Sequence, residues 1–137
     1  MASENELRRR NKGRQTTKSF VRFPHDVMQH ETFKSLSPRA TKLLMDLASQ
    51  YRGNNNGDLC APLSIMKERG WKSSDQLSRA KKELLRSGLV VVSRQGGRNK
   101  ASLYALTWFP IHECKGKLDI HPTTRAPNNW KTSASSP

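Results

Sequence analysis

The sequence predicts a single small α+β domain, a bundle of short helices closed by a β-hairpin, set between a disordered basic N-terminal arm and a polar C-terminal tail. Three observations carry this expectation. Serine marks two helix starts, at Ser37-Pro38 and at Ser73-Ser74-Asp75-Gln76. Apolar and β-branched runs flank Gly96-Gly97 from Leu89 to Trp108. The first 18 residues hold almost nothing to bury, and the last 25 are rich in Pro, Ser, Thr and Asn with Trp130 as their largest apolar group. The expected divisions are an arm over residues 1–18, a folded domain over 19–112 and an extended Pro/Ser/Thr-rich tail over 113–137.

Taken in order, Phe20-Val21-Arg22-Phe23 alternates apolar and basic residues and stops at Pro24, which suits a short strand or an extended lead-in. Asp26 to Leu36 places Val27, Met28, Phe33 and Leu36 at the spacing of a short helix with Asp26 as its cap. Ser37 to Tyr51 is the clearest helix. Proline follows the capping serine, and Ala40, Leu43, Leu44, Leu47, Ala48 and Tyr51 fall on one face that must be core. Gly53-Asn54-Asn55-Asn56-Gly57-Asp58 is a concentrated turn signal. Leu59 to Ala61 then supplies a short strand, and Pro62 to Arg69 a compact helix that buries Leu63, Ile65 and Met66 and closes at Gly70.

The next helix opens with a capping box in which Ser73 accepts from the Gln76 amide while the Gln76 side chain reaches back. Leu77, Ala80, Leu84 and Leu85 share one side, Gly88 ends the helix, and Asp75, Arg79, Lys82 and Arg86 project from the other. Leu89 to Arg94 and Leu103 to Trp108 pair as a hairpin across the basic Gly-Gly turn from Gln95 to Lys100. Two short helices joined by a tight turn and followed by a hairpin with a basic tip are in the order of a winged helix-turn-helix.

Composition restricts what such a domain does. The 137 residues carry Lys+Arg 25 against Asp+Glu 11, a formal charge of +14, with 34% hydrophobic residues. That length suits one domain, and the charge points to a polyanionic partner. No apolar run approaches the roughly 20 residues of a membrane span, and no hydrophobic stretch follows the basic start, so a cytoplasmic protein, in the bacterial cytoplasm or nucleoid, is expected. Cys60 and Cys114 are too few and too far apart for a disulfide scaffold. The nearest metal pattern, His112-x-Cys114 with His121, lacks a second ligand pair, and no phosphate loop, HExxH or GxSxG is present, so neither a cofactor nor an enzyme is expected.

Several stretches add a resemblance to this reading. Phe20-Val21-Arg22-Phe23-Pro24, Leu36-Ser37-Pro38, Tyr51 to Leu59, Glu83 to Leu89 and Tyr104-Ala105-Leu106-Thr107 resemble small bacterial and phage helix-turn-helix proteins, which are similar to the N-terminal winged-helix domains of phage and plasmid replication initiators. The resemblance implies a winged-helix fold over about residues 20–112 and, for function, a regulator or replication-associated factor of a phage, plasmid or other mobile element. The activities that longer relatives place in a second domain, origin melting and helicase loading, are therefore not expected of these 137 residues.

In a winged helix the second helix of the motif enters the major groove. Arg79 is then placed for a bidentate contact to guanine, Gln76 for adenine if the cap does not occupy it, and Asp75 for cytosine. Lys72, Ser73, Ser74, Lys82 and Arg86 belong to the same surface, chiefly as phosphate contacts. Arg94, Arg98, Asn99 and Lys100 form the wing set, although positive charge at a hairpin end also blocks edge pairing. Arg8, Arg9, Arg10, Lys12 and Arg14 read either as an arm along the phosphate backbone or as a solubilising tail.

Trp71, Tyr104, Trp108, Phe109, Phe23 and Phe33 fit core positions better than base stacking. Trp130 either packs back on the domain or anchors a partner protein. The function expected is sequence-specific binding of double-stranded DNA. The rivals are a protein-interaction module acting through the tail and an RNA or single-strand binder. Monomer and homodimer both remain open.

Overall fold

Each main helix starts where a serine side chain can satisfy its orphan amides, and the computed structural model shows both starts in place. It describes residues 18–133, so the arm residues Arg8, Arg9, Arg10, Lys12 and Arg14 lie outside the described residues. The elements in order are α1 (His25–Gln29), α2 (Glu31–Lys34), α3 (Pro38–Ala48), β1 (Leu59–Cys60), α4 (Leu63–Met66), α5 (Ser74–Ser87), β2 (Val90–Arg94), β3 (Leu103–Leu106) and α6 (Trp130–Ser133). Ser37 Oγ accepts from the Ala40 amide at 3.1 Å and Ser73 Oγ from the Gln76 amide at 3.2 Å. Gly70 and Gly88 end their helices at φ 95° and 80°, a conformation that costs glycine no Cβ clash.

The strands form one antiparallel sheet in the order β1-β3-β2. Val90, Val91 and Val92 face Leu106, Ala105 and Tyr104, after which the register shifts so that Arg94 faces Leu103. The extra residue, Ser93, is fully buried and donates its hydroxyl to the Gly57 carbonyl. This bulge bends the outer part of β2 and ties the hairpin to the 53–58 turn. Helices α3 and α5 pack together over the sheet, and Leu43, Leu44, Leu47, Leu59, Leu84, Leu89 and Leu106 are fully enclosed between them. Each such side chain contributes about 1.5–3 kcal/mol of burial.

Three expectations need correcting. The helix expected from Asp26 to Leu36 is two short ones. His30 adopts an extended conformation (φ −76°, ψ 146°) and caps α2 by accepting the Thr32 amide on its ring, and Asp26 lies inside α1 without capping it. The break turns Thr32 inward, where its hydroxyl donates to the Trp130 carbonyl at 2.7 Å. Residues 20–23 take the second of their two readings, a lead-in without a strand, and the Arg22 carbonyl accepts from the Trp108 indole at 3.0 Å. Helix α3 ends at Ala48, short of Tyr51, whose ring stacks on Phe109 at 4.5 Å. Ile65 is 44% exposed, because one turn of α4 and the 3-10 turn Lys67–Arg69 present too narrow an apolar face to bury it beside Met66.

Residues 113–133 lie along the domain. The Asp119, Thr123 and Asn128 amides donate to the carbonyls of Ser93, Ile111 and Thr107. Trp130 is 3% exposed, stacked edge-on against His30 at 5.0 Å. Of the two readings of this tryptophan, packing is the one observed.

Candidate nucleic-acid interface

The outer face of α5 is where the expected reading residues gather. Lys72, Ser74, Asp75, Gln76, Arg79, Lys82 and Arg86 are all exposed, and Ser73 is half-buried at the cap. The inner face is spent, since Leu77, Ala80 and Leu84 are buried against α3 and the sheet. Arg79 Nε sits 3.1 Å from the Asp75 carboxylate, one helical turn away. Asp75 and Arg79 therefore neutralise each other in the free protein, and a base contact by Arg79 exchanges or shares that partner. Only half of the capping box forms, leaving the Gln76 carboxamide on the surface. Ser78 is exposed beside Arg79 and belongs to the same face. Its position on the wheel marks it, although serine carries no charge signal.

Two carboxylates, Asp46 buried and Glu83 half-buried, hold α5 in place, and neither stood out in the sequence as functional. Asp46 on α3 accepts from the Trp71 indole at 2.8 Å, from Lys42 at 2.9 Å and from Arg69 at 3.1 Å. Lys42 also donates to the Arg69 carbonyl at 2.6 Å. The segment Arg69 to Trp71 that leads into α5 is thus pinned to α3 through two side chains, Asp46 and Lys42. Burial raises the Asp46 carboxyl, but the hydrogen bonds from Trp71, Lys42 and Arg69 outweigh it and hold the group below the ordinary aspartate value. A carboxylate at the edge of the Leu43-Leu44-Leu47 stripe, in a chain whose Trp71 needs an acceptor, was the available signal.

Glu83 does the same on the other flank. Its carboxylate accepts from the Ser37 amide at 2.6 Å and the Ser37 hydroxyl at 2.8 Å, joining the middle of α5 to the start of α3. An anion there also suits the positive end of the α3 dipole. Lys81, by contrast, leaves the outer face. It lies beside Cys60 of β1, where burial lowers its ammonium and likewise raises the Cys60 thiol.

The hairpin tip is built differently. Gly97 and Lys100 exchange backbone hydrogen bonds of 2.9 and 3.1 Å around Arg98-Asn99, so the reversal sits one residue beyond the Gly-Gly pair. Asn99 takes a left-handed φ of 59°, which asparagine tolerates. Gly96 is required for space, because a Cβ there would lie 2.5 Å from the Ser102 amide nitrogen and 2.6 Å from the Lys100 carbonyl oxygen. Arg98, Asn99 and Lys100 are exposed. Arg94 is half-buried and donates to the Ala101 carbonyl at 2.9 Å, so its guanidinium braces the hairpin.

The 53–58 turn is held from inside by Asn56. Its carboxamide accepts from the Leu106 amide at 2.8 Å and donates to the Leu106 and Pro110 carbonyls at 2.8 and 2.9 Å. Trp71, Tyr104, Trp108 and Phe109 are buried in the core, while Phe23 and Phe33 pack half-buried against it. Among the described residues no group of three His, Cys, Asp or Glu side chains could hold a metal ion, and no helix is long and apolar enough to cross a membrane. Comparison of the chain with known protein families, with curated proteins and with solved structures finds no match in any of the three.

Proposed function

We propose that this chain binds double-stranded DNA sequence-specifically as a winged helix-turn-helix, α5 entering the major groove and the β2-β3 hairpin lying against the flanking backbone or minor groove. The observation that carries the reading is the contrast between the two faces of α5. Its inner face and its approach are locked by Leu77, Leu84, Glu83 and the Asp46 cluster, while Asp75, Arg79, Lys82 and Arg86 are exposed on the outer face. A rigid helix with an exposed, largely cationic face is what groove reading needs. The element order α4, turn, α5, β2, β3, with β1 paired to β3, supports the same reading.

Within it, Arg79 with Gln76 and Asp75 discriminates bases, and Lys72, Ser73, Ser74, Lys82 and Arg86 fix register on phosphates. Arg98, Asn99 and Lys100 add salt-dependent affinity from the wing. The biological setting is that of a transcriptional regulator or replication-associated factor of a mobile element, acting in the bacterial cytoplasm or nucleoid by binding alone. The burial of Trp130, on which the tail-anchored protein-interaction reading relied, favours the DNA reading over it. Selection of binding sites from a random duplex library, followed by footprinting, tests the proposal. A recovered consensus protected by the wild type and blurred at one position by Arg79→Ala supports it, and failure to enrich any sequence overturns it.

A further inference from the structure

Phe20 is 81% exposed, the most exposed large apolar side chain among the described residues, in a chain otherwise sparing with surface hydrophobics. It stands as a ridge between two open clefts. One, of about 460 Å³, is lined by Phe20, Arg22, Phe23, Pro24, Trp108 and Phe109. The other, of about 230 Å³, lies between Phe20 and the end of α3, with Tyr51 and Arg52 on its wall. Arg22 sits over the Phe109 ring at 5.7 Å. Each cleft thus carries one arginine, and no carboxylate lines either among the described residues.

This surface is remote from the proposed reading end of α5. Thr107 Oγ1 donates to the Gly88 carbonyl, so Trp108 and Phe109 lie near the C-terminal end of α5, about 20 Å of helix from Ser73. They also follow the end of β3 opposite to the hairpin tip.

We propose that the paired clefts around Phe20 dock a short acidic peptide segment of a partner protein, an apolar side chain seating against Phe20 and carboxylates pairing with Arg22 and Arg52. Charge selects this occupant. A second copy of the chain, at +14, would bring arginine against arginine, and residues 1–17 carry the same sign. A nucleobase finds few free ring faces, because Phe23 packs on Trp108 at 4.8 Å and Tyr51 stacks on Phe109 at 4.5 Å. The inference does not depend on the DNA reading.

The test titrates isotope-labelled full chain with the peptide acetyl-Asp-Glu-Phe-Glu-Leu-Phe-Asp-Glu-amide and with a copy in which serine replaces Phe and Leu, following backbone amide signals. The first peptide is expected to shift residues 19–24, 51–52 and 108–109, and to bind about tenfold more tightly than its serine copy. Phe20→Ser and Arg22→Glu, both at exposed positions, should each weaken it by about tenfold, while Arg79→Ala leaves it unchanged. Equal binding of the two peptides, or shifts centred on Arg79 to Arg86, would reduce the effect to charge and overturn the proposal. So would a dimer abolished by Phe20→Ser, or a thymidine oligonucleotide that shifts residues 19–24 in place of the peptide.

Discussion

The approach to α5 and the tip of the β2-β3 hairpin both present cationic side chains, yet they are held in opposite ways. Arg69 to Trp71 is fastened to α3 by three side-chain hydrogen bonds, from Arg69 and Trp71 to Asp46 and from Lys42 to the Arg69 carbonyl, and α5 itself by two more from Ser37 to Glu83. The tip rests on one backbone pair, Gly97 with Lys100, and on Arg94 and Ser102 bonding within the hairpin, with a single outside tie at its base, from the Gln95 amide to Asp119. Under the proposed DNA reading, the difference separates two tasks. Reading bases needs a side chain placed to a fraction of an ångström, whereas neutralising phosphate tolerates a compliant support.

The largest way to break the contrast is to remove the fastening. Asp46→Ala leaves the Trp71 indole and Arg69 without their acceptor and should cost about 2–4 kcal/mol, read by urea denaturation. Its sign with pH follows from the lowered carboxyl. The stabilisation is complete above the ordinary aspartate value of 3.8 and fades as pH falls below it through the native value. Wild type should therefore lose stability over that acid interval by more than Asp46→Asn does.

Next comes Gly96→Ala, whose new Cβ meets the Lys100 and Ser102 backbone. It should cost about 1–3 kcal/mol and raise amide exchange in residues 95–102 while α5 stays protected. If α5 loosens equally, the hairpin and helix are one cooperative unit and the contrast is wrong. Smaller again, Arg79→Ala should remove about 1–3 kcal/mol of discrimination at one base pair with little effect on folding. Smallest, Lys100→Ala should weaken all duplexes uniformly and reduce the salt slope by about one.

The elements legible in the sequence were those written locally. Ser37-Pro38, Ser73, Gly70 and Gly88 are caps whose chemistry acts within one turn, and the valine run at 90–92 needs only its partner across a hairpin. What escaped were polar residues whose partners are far along the chain. Asp46 meets Trp71, Glu83 meets Ser37 and Asn56 meets Leu106, and apart from the place of Asp46 beside an apolar stripe nothing in their neighbourhoods names these partners. The break at His30 escaped for the same reason, since it serves Thr32 and Trp130. The outer face of α5 was readable because amphipathic spacing alone assigns it. The brace at Arg94 was not, because its direction depends on the bulge at Ser93.

The account stands most directly on one binding measurement: fluorescence anisotropy of the full chain with a selected duplex, a scrambled duplex and single-stranded DNA, each across a salt series. The selected duplex should bind about a hundredfold or more tightly than the scrambled one, the preference falling in Arg79→Ala and the affinity dropping steeply with salt. Equal affinity for all three nucleic acids, or a preference that Arg79→Ala leaves intact, would contradict it.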